Sequence, residues 1–526
     1  MLPLEVCSVA LAKLTGRPVK MFFSRKEEFI AARGRVPLIL DMKTGLKKDG
    51  TIIAQKVKVI GDCGAYTDHS PGIIKWGAHL HGSLYRVKNY CVDGTTVYTN
   101  KSYGTAFRGY GNNQYHFAGE SQIDMIAERL GIDPVELRLK NATQKGDVTA
   151  SGAIIRSCGL SECIEKVAAE AAKWREEIQR AGAGDGGVKR RGVGLACFAH
   201  ASGTRYFPNA DCDFSAAYIR LNEDGTVHLA VGSNDIGQGS STVMVQIAAE
   251  ELGVPPEDID VVSADTEAAP LSMGSFATRE TVIGGNAVVG AAKDAKRQLF
   301  EVAAKLLEAN PEDLEAKDRR IYVKGSPDRG KSIAEVVVAS IYRLGGQAII
   351  GKAHFDADDV IPDPVNFVGN IASSYPFGAQ GVEVEVDTET GAVEVLRVVA
   401  AHDSGRAINP MLMEGQIEGG VVQSIGYALT EEAVFGKNGQ FLNPEFGDYR
   451  ILTALDTAAP IKSISVDTID PQGPFGAKGI GEATMIPTPP AITNAIHDAV
   501  GVWMTDLPVT PDKVLRALKV KLPGKN

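Results

Sequence analysis

Lys478-Gly479-Ile480-Gly481-Glu482-Ala483-Thr484 sets one carboxylate behind two glycines, and no titratable side chain follows it until His497. A carboxylate in so tight and apolar a turn is either a buried structural acceptor or a general base. The choice depends on what else the chain carries. Four further segments have matching chemistry. They are Thr105-Ala106-Phe107-Arg108-Gly109-Tyr110-Gly111, then Asn234-Asp235-Ile236-Gly237-Gln238-Gly239, then Gly274-Ser275-Phe276-Ala277-Thr278-Arg279-Glu280-Thr281, and Asn409-Pro410 through Gly415-Gln416-Ile417-Glu418-Gly419-Gly420 to Gln423. Most place amides, hydroxyls and bare backbone N–H groups near a predicted helix start, where unpaired N–H groups bind polar ligands. Any one of them alone is ordinary turn chemistry. Four of them with Glu482 point to a ligand site that contains a base.

Composition narrows the class. At 526 residues the chain exceeds the size of a single core, since cores rarely grow beyond roughly 250–300 residues. Two or more packed units are expected. Its 57 glycines fall in clusters such as Gly284-Gly285 and Gly419-Gly420, which marks close-approach loops and not a flexible linker. A formal net charge of -10 argues against a nucleic-acid partner, which would need a basic surface. No apolar run reaches the roughly 20 residues that span a bilayer. Residues 1–12 include Glu5 and lack a basic leader, so they read as a helix and not a signal peptide. Cys7, Cys63, Cys91, Cys158, Cys163, Cys197 and Cys212 are scattered without a Cys-x-x-Cys pair. They read as reduced thiols of a cytoplasmic protein, not as a disulfide, zinc or iron–sulfur framework.

Periodicity predicts a helix over residues 2–14, a strand over 19–23, and alternating strands over 42–62 around Lys48-Asp49-Gly50. A helix over 119–130 stops at Gly131, and the next is capped by Asp133 with Pro134 at its first position. Residues 181–190 read as a linker. Strands 213–221 and 226–231 form a hairpin around Asn222-Glu223-Asp224-Gly225. A helix then runs from after Gly239 to about Leu252, and another from about 284 to 308. The order returns with a hairpin over 381–386 and 393–401 and a helix near Asn409-Pro410. Two similar lobes with a cleft are expected. The expected fold is α+β, with two unequal cofactor-binding domains, 1–165 and 185–526, and a site buried between them.

Two common patterns compete with this reading. Gly325-Ser326-Pro327-Asp328-Arg329-Gly330-Lys331-Ser332 has P-loop spacing, but Ser332 and Glu335 also spell a capping box for a helix at Ile333. Gly182, Gly184 and Gly187 have dinucleotide spacing but follow a helix, so they read as linker. His402-Asp403 ends an apolar strand and reads as structural.

Taken in order, Ala106-Phe107-Arg108-Gly109-Tyr110-Gly111, Gly237-Gln238-Gly239, Gly415-Gln416-Ile417-Glu418-Gly419 and Gly479-Ile480-Gly481-Glu482 resemble the molybdenum-cofactor subunit of the xanthine dehydrogenase and aldehyde oxidase family. The resemblance covers essentially the whole chain. It implies a buried molybdenum-molybdopterin, plain or in its cytosine dinucleotide form, with no side-chain ligand to the metal. It makes Glu482 the general base and Arg108 the metal-proximal arginine. Phe107, Gly237, Gln238, Gly239, Ala277, Thr281 and Gln416 would hold the cofactor. It also implies partner subunits carrying iron–sulfur clusters and FAD. The reaction implied is at an electron-poor carbon of an aromatic, N-heterocyclic or aldehyde substrate.

Details such as Gly473-Pro474-Phe475-Gly476-Ala477-Lys478-Gly479 lean toward the 4-hydroxybenzoyl-CoA reductase branch, whose members remove a phenolic hydroxyl reductively. Tyr110 matches one of the two rings that hold a purine in xanthine enzymes. The other falls at or near Cys197, with no aromatic match. A non-catalytic cofactor-binding or assembly protein is the alternative from another class, and Glu482 argues against it. Related subunits carry a Gly-Gly-x-Phe-Gly-Gly-Lys segment before the helix that Met1-Leu2-Pro3-Leu4-Glu5 resembles. The first cofactor domain is therefore expected to be N-terminally incomplete, and the missing part to come from a separate chain or a longer reading frame.

Overall fold

Residues 3–182, 187–206, 211–457 and 459–521 are described by the computed structural model. Two four-stranded sheets of like topology form most of the second half. In one, Ile350–Asp356, Phe214–Leu221, Val227–Val231 and Ile259–Ser263 lie side by side in that order. In the other, the order is Lys189–Ala199, Phe377–Asp387, Val393–Asp403 and Ile461–Val466. Each sheet is built on an antiparallel hairpin, a following helix (Ser240–Leu252 or Pro410–Leu429), and a strand that returns parallel to the hairpin's second arm. This is the repeat expected from the sequence.

The edge strands are exchanged between the two repeats. Lys189–Ala199 precedes the first hairpin in the chain but pairs with Phe377–Asp387 of the second. Ile350–Asp356 precedes the second hairpin but pairs with Phe214–Leu221 of the first. Neither sheet is complete without chain from the other unit, so the lobes are interlocked.

Burial follows the layers. Phe377–Asp387 is buried along almost its whole length, because the helices Leu160–Ala181 and Thr488–Val500 both pack on its sheet. Gly192 and Gly194 permit the second contact. A Cβ at Gly192 would lie 2.3 Å from the Ala495 carbonyl oxygen, so only glycine allows the helix so close.

The N-terminal part has a three-stranded sheet of Leu38–Leu46, Ile52–Gly64 and Asn89–Tyr98 beside the helices Ser70–His81 and Asn112–Leu130. Local signals hold well here. Gly131 ends its helix in the left-handed region at φ 65, and the Asp133 side chain accepts from the N–H groups of Val135 and Glu136. The P-loop spacing falls on the strand Ser326–Ser332, and Ser332 and Glu335 form the capping box of Ile333–Tyr342. Ser332→Ala should therefore destabilise the fold by about 1 kcal/mol, measured as a shift in the urea midpoint.

Two expectations are corrected. Residues 19–23 form no strand; Phe22 is 76% exposed, and no strand among the described residues pairs with it. The helix expected from Gly119 begins at Asn112, because its first turns bury the polar Asn112, Asn113, Gln114 and His116. Buried polar residues hide the apolar period that marks a helix. Of the 181–190 stretch, residues 183–186, which include Gly184, lie outside the described residues. The helix Pro3–Thr15 leaves Val9 69% and Leu14 83% exposed.

Candidate active site

Gly104–Thr105 pairs in parallel with Gly34–Arg35 and delivers residues 106–111 to the start of Asn112–Leu130. Gly109, Tyr110 and Gly111 are consecutively left-handed, at φ 92, 40 and 89. Such a conformation at Tyr110 is strained. Arg108 reaches across from this turn to two distant segments. Its Nε donates to the Gly481 carbonyl at 2.7 Å and its Nη1 to Gln423 Oε1 at 3.2 Å. Its Nη2 donates to Gln416 Oε1 at 3.1 Å and to Thr484 Oγ1 at 3.2 Å. One guanidinium thus ties the Arg108 turn, the Pro410–Leu429 helix and the Glu482 turn together. Burial lowers the Arg108 pKa, and the Glu482 carboxylate opposes that shift.

Arg35 supports this turn from behind, and sequence reasoning missed it. It donates to the Arg108 carbonyl at 2.9 Å and to Asn113 Oδ1 at 3.3 Å. Its guanidinium lies 4.4 Å from the Phe107 ring centre and 4.9 Å from that of Tyr427, within cation–π range. No local motif marks Arg35; only its three-dimensional neighbours do.

The third segment meets the Glu482 turn directly. Ala277 and Thr278 are left-handed at φ 48 and 55. The Ala277 carbonyl accepts from Gly203 N–H at 2.8 Å, and Thr278 Oγ1 accepts from Glu482 N–H at 3.2 Å. A Cβ at Gly479 would lie 2.2 Å from the Thr278 carbonyl oxygen, which explains the glycine. Arg279 is buried and anchors the segment to Asp213 Oδ1 at 2.7 Å. Thr281 lies in the π-helical turn Glu280–Gly284 that opens Gly285–Leu307.

The second segment is held mainly by itself. Gln238 Oε1 accepts from Ile236 N–H at 2.7 Å, and its Nε2 donates to the Asn234 carbonyl at 3.3 Å. Ser275 donates to that same carbonyl at 2.5 Å, linking the second and third segments. A Cβ at Gly239 would lie 2.7 Å from Leu412 Cδ1, so this loop abuts the Pro410–Leu429 helix. All four segments and Glu482 are therefore joined through direct contacts.

A Cβ placed on Gly237, Gly415, Gly419 or Gly481 meets no atom within 4 Å. Gly420 differs, since its Cβ would lie 2.0 Å from Thr484 Oγ1. The Pro410–Leu429 helix thus packs one glycine on the Glu482 turn and leaves two bare beside Gln416. Two bare glycines next to amides and an arginine leave room for a flat polar ligand. Among the described residues, no group of three or more His, Cys, Asp or Glu side chains is placed to hold a metal.

Glu482 keeps 19% of its side chain exposed, and its Oε2 lies 2.9 Å from His200 Nε2. The buried pair Lys478–Asp403, at 2.7 Å, anchors the turn that carries it. His402 and Asp403 are both buried, in keeping with a structural role. Cys197 is buried in its strand, its N–H donating to Glu120 Oε2 at 2.7 Å. The His69 and Trp76 rings lie edge-on to Tyr110 at 5.8 and 6.3 Å between centres, and a Cβ at Gly72 would touch Tyr110 Oη at 2.8 Å and Tyr206 Cε1 at 3.4 Å. The Tyr110 hydroxyl also lies 2.9 Å from His69 Nδ1.

Comparison with known proteins adds an independent line. Two profiles described as molybdopterin cofactor-binding domains match residues 1–142 and 166–458. The xanthine dehydrogenase molybdenum-binding subunit of Escherichia coli O157:H7 is 36% identical over 96% of this chain and 65% of its own length. The gamma subunit of the 6-hydroxypseudooxynicotine dehydrogenase complex of Paenarthrobacter nicotinovorans is 32% identical over 97% of this chain and 64% of its own. Among solved structures, quinoline 2-oxidoreductase from Pseudomonas putida 86 superposes with a TM-score of 0.88 at 30% identity, covering 98% of this chain and 66% of that one. The chain thus spans about 65% of the length of the E. coli relative.

Proposed function

Since this chain belongs to the xanthine dehydrogenase and aldehyde oxidase family of molybdopterin-binding subunits, we propose that it forms the catalytic site of a multi-subunit molybdenum oxidoreductase. The substrate is an aromatic, N-heterocyclic or aldehyde compound that reacts at an electron-poor carbon. A relative named for xanthine at 36% identity and one named for aldehydes at 31% support the N-heterocycle first and the aldehyde second. The observation that carries the reading is the fan of hydrogen bonds from Arg108 to Gln416, Gln423, Thr484 and Gly481, next to Glu482.

Bound molybdopterin would supply the centre that exchanges electrons with the substrate. The chain's own residues supply the rest. Gly237, Gly415 and Gly419 offer a bare backbone wall for the pterin, and Phe107, Gln238, Gly239, Ala277, Thr281 and Gln416 border it. Arg108 stabilises negative charge that develops in the transition state. Glu482 acts as the general base that removes a proton. We assign the domains to residues 1–165 and 185–526; the gap between the two family profiles, 143–165, supports a division in that region.

Electrons would pass to partner subunits with iron–sulfur clusters and FAD, and a relative named as one subunit of a dehydrogenase complex supports such an assembly. The cofactor is plain molybdopterin or its cytosine dinucleotide. No helix among the described residues is long and apolar enough to cross a membrane, and seven unpaired cysteines fit a cytoplasmic site of action.

Turnover assays of the intact complex with purines, quinolines, aldehydes and 4-hydroxybenzoyl-CoA test this directly. Oxidation of an N-heterocycle is expected. Activity only as reduction of 4-hydroxybenzoyl-CoA would reverse the assigned direction, and no turnover in a metal-replete complex would overturn the enzymatic reading. The glycine wall gives a second test. Gly415→Leu and Gly419→Leu meet no atom in the folded chain at Cβ and replace glycine in a helix, where it is disfavoured by about 1 kcal/mol. Both variants should melt no lower than the parent yet retain far less molybdenum, read by elemental analysis.

A further inference from the structure

His200 lies at the end of a chain of hydrogen bonds whose directions follow from an acceptor-only backbone carbonyl at its start. Its ring is fully buried, with the Trp76 ring edge-on at 6.3 Å between centres. Asn112, also buried, places its Nδ2 2.7 Å from the Ala199 carbonyl and 3.2 Å from His200 Nδ1. A carbonyl oxygen only accepts, so the atom facing it must be the amide nitrogen. That nitrogen has two protons, and the second points to His200 Nδ1. Nδ1 therefore accepts, and the ring proton resides on Nε2. The Nε2–H then donates to Glu482 Oε2 at 2.9 Å. His116 fixes the next layer: its Nδ1 donates to the Asn112 carbonyl at 3.0 Å and its Nε2 accepts from Ala199 N–H at 3.2 Å.

Glu482 Oε1, by contrast, makes no hydrogen bond among the described residues. We propose that His200, set in its Nε2–H form by Asn112, is a positioning residue that holds Glu482 Oε2 and leaves Oε1 alone to take the proton. This rests on the reading of Glu482 as the base. Without the bond the partly exposed carboxylate can rotate, and both oxygens compete for water and for Arg108. A neutral donor suits the role, because it orients the carboxylate without neutralising it.

The test uses the intact complex and two independent readouts. In chain labelled with 15N-histidine, the His200 resonances are assigned as those lost in His200→Gln, among nine histidines. Solid-state 15N NMR should show Nε2 protonated and Nδ1 bare, with the Nε2 signal displaced in Glu482→Gln and the tautomer mixed in Asn112→Ala. A proton on Nδ1 in the parent would overturn the proposal. For turnover, His200→Leu should lose about 10- to 100-fold, as expected for a group that orients a reacting one, while His200→Gln, which keeps a donor, should recover most of the loss. Should His200→Leu misfold, the Asn112→Ala tautomer and turnover decide in its place. Normal turnover in His200→Leu with a dead Glu482→Gln would sink the role of His200 and spare the base. Normal turnover in Glu482→Gln would remove the base and this role with it.

Discussion

Glu482→Gln is expected to keep the fold and the bound molybdenum but to lose roughly 10²- to 10⁴-fold in turnover, the range for removal of a general base. The substitution changes one atom and retains the shape of the side chain. An amide oxygen can still accept from His200 Nε2–H, and the backbone N–H can still donate to Thr278 Oγ1. The arrangement around the site should therefore survive. What is lost is the ability to take up a proton. Steady-state rates normalised to molybdenum content are the measurement. Near-normal rates in a metal-replete variant would remove Glu482 from the chemistry and leave it a polar wall residue.

Lys478→Met is expected to destabilise the chain by about 3–5 kcal/mol, the usual effect of removing one partner from a buried ion pair. Lys478 and Asp403 are both fully buried. Lys478 Nζ donates to Asp403 Oδ2 at 2.7 Å, to the Tyr375 carbonyl at 3.0 Å and to the Ser157 carbonyl at 3.3 Å. Asp403 Oδ2 also accepts from Gly159 N–H at 2.8 Å, and Oδ1 from Thr468 Oγ1 at 2.6 Å. Every proton and lone pair that matters is used, so the variant leaves a carboxylate buried without its cation. The pair also joins the Val393–Asp403 strand to the turn that leads to Glu482. Cofactor retention should fall along with the urea midpoint. A midpoint that moves by less than the equivalent of about 1 kcal/mol would show that the pair is not a structural anchor.

The glycine segments and Glu482 were legible in the sequence because their chemistry is local. A left-handed turn or a close approach asks for glycine at that very position, as at Gly109, Gly239 and Gly479. Helix punctuation was legible for the same reason, at Gly131, Asp133 and Ser332. The repeated hairpin was visible, but the exchange of edge strands was not. Strands 189–199 and 350–356 look alike whichever hairpin they pair with, since pairing between distant segments leaves no periodic trace.

The same limit hid Arg35 and His200. An arginine beneath Phe107 and a histidine behind Glu482 become functional only when separate segments meet. His200 had one weak signal: it is a polar residue at the end of the largely buried strand Lys189–Ala199. Periodicity places elements, but it does not say which loop residue reaches a neighbour.

Anomalous diffraction at the molybdenum edge, from crystals of the intact complex, tests the central claim most directly. A molybdenum peak is predicted near Gln416, Gly419 and Gly481, with Arg108 and Glu482 beside it. A complex without molybdenum, or a peak elsewhere such as the 670 Å³ cavity lined by Leu429, Leu452 and Leu455, would contradict it.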